Sequence, residues 1–205
     1  MRGDDLMLTS ITFVRHGNTD FNVEKRAQGH LNNPLNETGF KQAKAVAERL
    51  AEEKWDLLFS SDLLRARQTA EIISKAIGLP ITAYDVRLRE ISRGQIEGTI
   101  EEERIARWGA NWRELDLGEE SLESVRKRGV DFVMEAVAKY PGKKMLLVSH
   151  GLLIRETLKG LMQDESTGTP LANTSVTTVV YKDGQWRYEL YGCTRHLDME
   201  LREAQ

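Results

Sequence analysis

Two stretches decide the reading of this chain: ITFVRHG at residues 11–17 and LLVSHG at residues 146–151. Each is a short apolar run, rich in branched side chains, that ends in a polar residue, a histidine and a glycine. Runs of this length and composition, closed by glycine, read as buried strands. Each therefore places a histidine just past a strand's carboxyl end. Parallel strands of an open α/β sheet end along one edge, and ligands bind beyond that edge. His16 and His150 are thus expected to face one another across a single crevice, with Gly17 and Gly151 letting the backbone turn closely beside a ligand. The other two histidines, His30 and His196, lack this context and are assigned no chemistry.

Working outward, Leu8 to Arg15 forms the first strand, and a helix follows from Glu37 to Lys54, with Phe40, Ala43, Ala47, Leu50 and Ala51 at helical spacing opposite Lys41, Lys44 and Glu48. Asp56 to Phe59 is a short strand. Ser61 or Asp62 is expected to cap a second helix running to about Ile77, which Gly78 and Pro80 stop. Ile81 to Tyr84 is a third strand. The stretch from Ile91 to Glu120, rich in Glu, Arg and Gly with Trp108 and Trp112 among them, reads as a helical excursion over the sheet edge, a lid. Ser121 caps a helix ending near Tyr140 at Pro141-Gly142, Lys144 to Ser149 is a buried strand, and Leu152 to Met162 is a helix. Ser175 to Tyr181 and Trp186 to Tyr191 flank Lys182-Asp183-Gly184-Gln185, a hairpin signal. This order predicts a three-layer α/β/α sandwich around a mostly parallel sheet with an antiparallel edge. With no repeat or linker, residues 1–205 read as one domain carrying an insertion at about 91–120.

The totals narrow the function. The chain has 205 residues, 40% hydrophobic and 30% charged, which is ample for one core. A net charge of -3 argues against a nucleic-acid-binding surface while leaving room for a local basic pocket. Cys193 is alone, so neither an internal disulfide nor a cysteine zinc site is available, and a reducing cytoplasm fits. The opening MRGDDLMLTSITFV carries acids at Asp4 and Asp5 and reads as neither signal peptide nor membrane anchor, and no later run is long enough to span a bilayer. The first six residues read as a loose tail, with Met7 an alternative start.

Around the expected crevice, Arg15 precedes His16, and FSSDLLRARQTA offers Arg65 in the first turns of a helix, where the backbone already carries partial positive charge. Two guanidiniums and two imidazoles suit a dianion, since Arg presents planar, bidentate donors to phosphate oxygens. Glu90, in VRLREISRG after the third strand, is the candidate general acid, because a neighbouring phosphate favours the proton-bearing form of a carboxyl. Taken singly, each residue has a plain reading: a structural strand-end histidine, a surface arginine, a solvated loop acid. Their joint placement at strand ends carries the functional case.

In that setting Arg15-His16-Gly17-Asn18-Thr19, with Asn22, Gln28-Gly29, Pro34-Leu35-Asn36-Glu37-Thr38-Gly39 and Gln42-Ala43, resembles the opening of the histidine phosphatase superfamily, which includes the cofactor-dependent phosphoglycerate mutases. The run from Ser60 to Ala70, then Leu88-Arg89-Glu90 with Gly94 and Glu97-Gly98, then Glu120-Ser121 with Val125 and Arg128, and finally Ser149-His150-Gly151 are similar to its later blocks, in order. The resemblance implies a phosphoglycerate mutase-like fold and His16 as the nucleophile that forms a phosphohistidine. It implies that Arg15, Arg65 and His150 hold the phosphoryl oxygens, that Asn22 shapes the pocket with Gln28, Gly29 and Gly151 beside the substrate, and that Glu90 is the proton donor. It implies no metal, and no cofactor is expected. The residue after Gly17 is Asn18, where many members carry Glu or Gln, which predicts altered contacts beside the phosphoryl pocket.

The resulting expectation is a metal-independent phosphomonoester hydrolase acting on a small phosphorylated metabolite, the alternative being a cofactor-dependent phosphoglycerate mutase. A mutase must shield its phosphoenzyme from water, whereas the 91–120 insertion is short and no long closing segment follows the hairpin. Trp108 and Trp112 have two readings, an apolar pocket wall or core anchors of the excursion. Arg26, Arg87, Arg89 and Arg93 have two as well, a second anion site or solvated surface. The expected partner is a small phosphomonoester, with no nucleic acid and no membrane; a homodimer is the assembly allowed for.

Overall fold

The computed structural model describes residues 8–166 and 169–203, so the expected N-terminal tail lies outside the described residues. The strands are β1 (Thr9–Arg15), β2 (Leu57–Ser60), β3 (Ala83–Tyr84), β4 (Lys144–Ser149), β5 (Val176–Lys182) and β6 (Gln185–Cys193). The helices are α1 (Asp20–Val23), α2 (Glu37–Leu50), α3 (Leu64–Ile77), α4 (Glu101–Trp108), α5 (Leu122–Lys139), α6 (Gly151–Met162) and α7 (Met199–Glu203). The six strands form one sheet in the order β3-β2-β4-β1-β5-β6. Pairing is parallel from β3 to β1 and antiparallel from β1 through β5 to β6. The predicted α/β class, mostly parallel sheet and antiparallel edge are all present.

Strand alternation explains the three layers. Ile11, Phe13, Met145 and Leu147 face α5 and α6, where Phe132, Val133, Leu153 and Leu158 complete one core. Val14, Leu58, Leu146 and Val148 face the other way, onto Val46, Leu50, Ala66 and Ile73 of α2 and α3. A strand apolar on both faces has to be covered on both, which is why these central strands read as continuous hydrophobic runs. Helix α2, which follows β1, and α6, which follows β4, therefore lie on opposite faces although β1 and β4 are neighbours. The chain thus parts at the carboxyl ends of these two strands, the switch point at which such sheets open a crevice.

Several boundaries differ from expectation, each for a local reason. The first helix stops at Leu50 rather than Lys54, because Trp55 donates its indole N–H to the Leu50 carbonyl at 2.8 Å. The third strand shrinks to Ala83–Tyr84; at Thr82 the side-chain hydroxyl, 3.2 Å from the Leu58 N–H, takes the place of a backbone acceptor. Neither Ser61 nor Asp62 caps α3, whose N-cap position is Leu63 with no side-chain bond. Ser61 is engaged with His150 and Asp62 with Arg89. The excursion holds α4, not foreseen in detail, over a small cluster of its own: Ile96, Trp112 and Leu117 with Ala27 and Trp108. At the hairpin Asp183 and Gly184 both have positive φ, 55° and 78°, as a two-residue turn of this hand requires. Among the described residues no helix is long and apolar enough to cross a membrane.

Helices α5 and α6 meet at Gly129, where a Cβ would lie 1.9 Å from Thr157 Oγ1, itself bonded to the Leu153 carbonyl. Alanine is ordinarily favoured over glycine inside a helix by about 1 kcal/mol. Here Gly129→Ala should instead destabilise by about 1–3 kcal/mol through overpacking. Urea titration should find most of that loss recovered in Gly129→Ala/Thr157→Ala; a single variant more stable than wild type would refute the close contact.

Candidate active site

The site begins with register. Arg15 of β1 pairs with Ser149 of β4, so the next residues, His16 and His150, leave the sheet side by side with ring centroids 5.1 Å apart. The His16 N–H donates to the Ser149 carbonyl at 2.9 Å, which continues the ladder by one residue. Asn173 Nδ2 donates to the His16 carbonyl at 2.9 Å. His16 Nδ1 lies 2.7 Å from the Gly17 carbonyl. A carbonyl only accepts, so Nδ1 carries the proton and Nε2 keeps the lone pair. His150 Nε2 lies 2.8 Å from Ser61 Oγ, while its Nδ1 is buried with no hydrogen-bond partner among the described residues.

The two glycines serve packing rather than an open turn. A Cβ on Gly17 would lie 2.6 Å from the Gly39 carbonyl in the first turn of α2. One on Gly151 would lie 3.3 Å from Arg15 Nε, so this glycine clears room for the guanidinium. Asn18 is likewise internal: its N–H donates to Gln42 Oε1 and its Oδ1 accepts from Asn36 Nδ2, each at 2.9 Å. It is not among the residues lining the cavity, and these two bonds seat the chain after β1 against α2.

Of the two cations one is fully buried, and the other, Arg15, is half-buried with its Nε shielded from solvent. Arg65 is 0% exposed, which overturns its plain surface reading. Its guanidinium donates to the carbonyls of Gly29 at 2.9 Å and Leu31 at 3.0 Å, and to Asn33 Oδ1 at 3.3 Å. Gly29 can supply that carbonyl because it sits at φ 48°, with the Glu97 carboxylate where a Cβ would go. Arg15 donates to the Leu171 carbonyl at 2.5 Å. The Nε atoms of Arg15 and Arg65 are both buried with no hydrogen-bond partner among the described residues. Burial, then the charges of Arg65 and Arg15, hold the His16 imidazole well below its ordinary value of 6.5; burial, then Arg65, does the same for His150. Burial also lowers Arg65 to about 10, partly opposed by Glu90.

Glu90 occupies the N-terminal end of α6. Its carboxylate accepts from the N–H groups of Ile91 at 3.0 Å, Leu153 at 3.2 Å and Leu152 at 3.3 Å. It thereby supplies the cap that His150, at the N-cap position, lacks. Asn22 and Gln28 share the Thr19 hydroxyl, at 3.0 and 3.1 Å.

Arg15, His16, Asn22, Gln28, Gly29, Arg65 and Glu90 all line one cavity of about 640 Å³. His150 and Gly151 are not among its lining residues; His150 is fully buried beside His16. The far wall comes from the excursion and was only partly foreseen. Trp112 is both a cluster anchor and a wall, whereas Trp108 only packs. Arg26 and Arg93 reach the wall, paired with Glu103 and Glu119. Arg87 and Arg89 do not, being bound to Asp85 with Glu135 and to Asp62. Arg104 and Arg113, also on the wall, escaped notice because a charged helical stretch gives no sign of which arginines turn inward. Ser61 and Asn173 were missed as well; only their place in the fold reveals them.

A histidine with one ring nitrogen tied to a carbonyl, beside a fully buried guanidinium, a half-buried one and a carboxyl group, is an arrangement suited to phosphoryl transfer. The chain belongs to the histidine phosphatase superfamily (branch 1), whose model matches residues 11–194. It is 34% identical over 192 residues to an uncharacterized phosphatase, PhoE, of Bacillus subtilis, spanning 93% of this chain and 97% of that one. It is 36% identical to a probable phosphoglycerate mutase, GpmB, of Yersinia pestis, over 94% and 96% of the two chains. The solved structure of a mycobacterial glucosyl-3-phosphoglycerate phosphatase superposes with a TM-score of 0.80 at 32% identity, covering 90% of this chain and 99% of that one. The protein is thus an enzyme of the histidine phosphatase class, with hydrolases among its relatives.

Folding holds both imidazoles below the value of 6.5 that they have in the unfolded chain. As pH falls, the unfolded chain takes up these protons first. The stability tied to them is complete above pH 6.5 and is lost as pH drops towards the depressed folded values. Urea titrations from about pH 8 to 5 should show a fall of up to about 1.4 kcal/mol per pH unit for each histidine. His150→Asn should make the slope shallower; an unchanged slope would show that His150 is not held neutral.

Proposed function

We propose that the protein hydrolyses small phosphomonoesters through a phosphohistidine on Nε2 of His16. One observation carries this reading: around a His16 whose Nδ1 is tied to the Gly17 carbonyl, three buried nitrogens, Arg15 Nε, Arg65 Nε and His150 Nδ1, have no hydrogen-bond partner among the described residues. Buried donors left unpaired cost about 1–3 kcal/mol each, which a bound phosphoryl group offsets by accepting from them. Phosphoryl oxygens only accept, so His150 presents Nδ1–H, and the Ser61 hydroxyl donates to its Nε2.

The reaction follows from these positions. Nε2 of neutral His16 attacks phosphorus in line. The N–P bond forms as the P–O bond to the leaving group breaks, and Glu90 gives that oxygen a proton, so it departs as an alcohol. Arg15, Arg65 and His150 hold the three equatorial oxygens, while Asn22, Gln28 and Gly29 border the pocket. Water then attacks the phosphohistidine, Glu90 takes its proton, and the N–P bond breaks to give inorganic phosphate and neutral His16. No step calls for a metal ion.

A phosphoglycerate mutase is the second reading, favoured by the 36% identity to a probable mutase. Hydrolysis is preferred because the covering excursion is short and rests on a small cluster of its own, separate from both main cores, an arrangement less suited to sealing a phosphoenzyme from water.

With phenyl phosphate, His16→Ala should lose at least about 10³-fold in turnover, and only the wild type should yield an acid-labile, base-stable phosphoenzyme. Retained turnover in His16→Ala would overturn the assignment; interconversion of phosphoglycerates without phosphate release would favour the mutase. Glu90→Gln should lose about 10²-fold or more on an alkyl phosphate and far less on dinitrophenyl phosphate, whose leaving group needs no proton. Equal losses on both would remove Glu90 as the acid.

A further inference from the structure

The segment that carries Glu90 has almost no backbone ladder of its own. It leaves a short turn at Val86–Leu88 and runs without regular structure to Gly94. Yet four successive carbonyls along it are each held by a side chain. The carbonyls of Arg87 and Arg89 accept from Arg128 Nη1 at 2.8 and 2.5 Å. The Leu88 carbonyl accepts from Ser149 Oγ at 2.7 Å. The Glu90 carbonyl accepts twice, from Arg128 Nη2 at 3.0 Å and from His30 Nε2 at 2.7 Å.

Arg128, on α5, uses its whole guanidinium for this. Two Nη1 protons and one Nη2 proton go to the three carbonyls. The remaining two, on Nε and Nη2, go to the Glu120 carboxylate at 2.9 and 3.0 Å. All five donors are thus committed in one plane, which a lysine cannot reproduce. Glu120 in turn receives the Ser92 N–H at 3.2 Å, so the segment is tied on both sides of Glu90. Arg128 does not line the cavity.

We propose that Arg128 is a positioning residue for the general acid. It fixes the main chain from Arg87 to Glu90 and so sets the Glu90 carboxyl against the first turn of α6, within reach of the leaving oxygen. Glu120 holds Arg128 in turn, and His30 takes part as a second donor to the Glu90 carbonyl. The inference rests on the reading of Glu90 as proton donor. Its effect is selective: a displaced acid slows departure of a poor leaving group and is felt little where the leaving oxygen needs no proton.

The experiment measures kcat/KM on dinitrophenyl phosphate and on glycerol phosphate for wild type, Glu90→Gln, Arg128→Met, Arg128→Lys and the double variant Glu90→Gln/Arg128→Met. Arg128→Met should raise the ratio of the two values at least about tenfold, in the direction of Glu90→Gln, with Arg128→Lys recovering little. The double variant should be no more selective than Glu90→Gln alone, because both changes act on one step. Equal losses on both substrates, or additive selectivity in the double variant, would overturn the proposal. Glu120→Gln, which keeps the side-chain volume, should shift the ratio the same way and carries the test should Arg128→Met fail to fold; an unchanged ratio there counts against the proposal. If Glu90→Gln is itself unselective, the acid assignment fails instead, so the two failures are distinct.

Discussion

The parallel pairing of β1 with β4 is the constraint on which the rest depends. In that register Arg15 stands opposite Ser149, and the next residue of each strand is a histidine. Because a one-residue slip would send alternate side chains to the other face, the register is locked by burial on both faces: Phe13 and Leu147 on one, Val14 and Val148 on the other. The two cores therefore set the 5.1 Å spacing of the imidazoles as firmly as any contact within the site.

From that pair the surroundings follow by completing backbone valences. The Gly17 carbonyl fixes the His16 tautomer, and the first turn of α2 presses on Gly17 so closely that no side chain fits. The N-terminal turn of α6, which begins at Gly151 and has no cap from His150, is capped instead by Glu90, arriving from beyond β3. Glu90 and the second histidine are thus joined through one helix end. A group that needs amide donors and a helix end that needs an acceptor satisfy each other, and this places the carboxyl beside the two guanidiniums.

Much of this was legible in the sequence, and the failures are informative. Strand-end histidines, Arg65 at a helix start and Glu90 after the third strand are local signals, and the structure brings Arg15, His16, Arg65 and Glu90 to one cavity. What could not be read was the use of a residue by a distant segment. Ser61 looked like a helix cap and instead serves His150, 89 positions away. Asn18 stood out only as a departure beside the phosphoryl pocket, and its bonds to Asn36 and Gln42 tie it to α2. Arg128 looked like a motif echo, and its five hydrogen bonds to three carbonyls and a carboxylate are visible only in three dimensions. Short-range pattern reveals which elements form; partners far apart in sequence decide what a polar side chain does.

The arginines make that distinction physical. Arg26, Arg87, Arg89, Arg93 and Arg113 each bond a carboxylate, which cancels their charge before any ligand arrives. Arg15 and Arg65 form no ion pair among the described residues; they bond the carbonyls of Leu171, Gly29 and Leu31. A carbonyl orients a guanidinium and lowers the cost of burying it without removing its charge, whereas a carboxylate does both. Held among dipoles, the two positive charges act strongly on a dianion and, together with the burial of the imidazole itself, hold His16 below its ordinary value. A chain with a net charge of -3 thereby presents a concentrated positive site at one end of its sheet. The nature of an arginine's partners, and not its position in a charged stretch, separates the arginines suited to holding a phosphoryl group from those that only pin the surface.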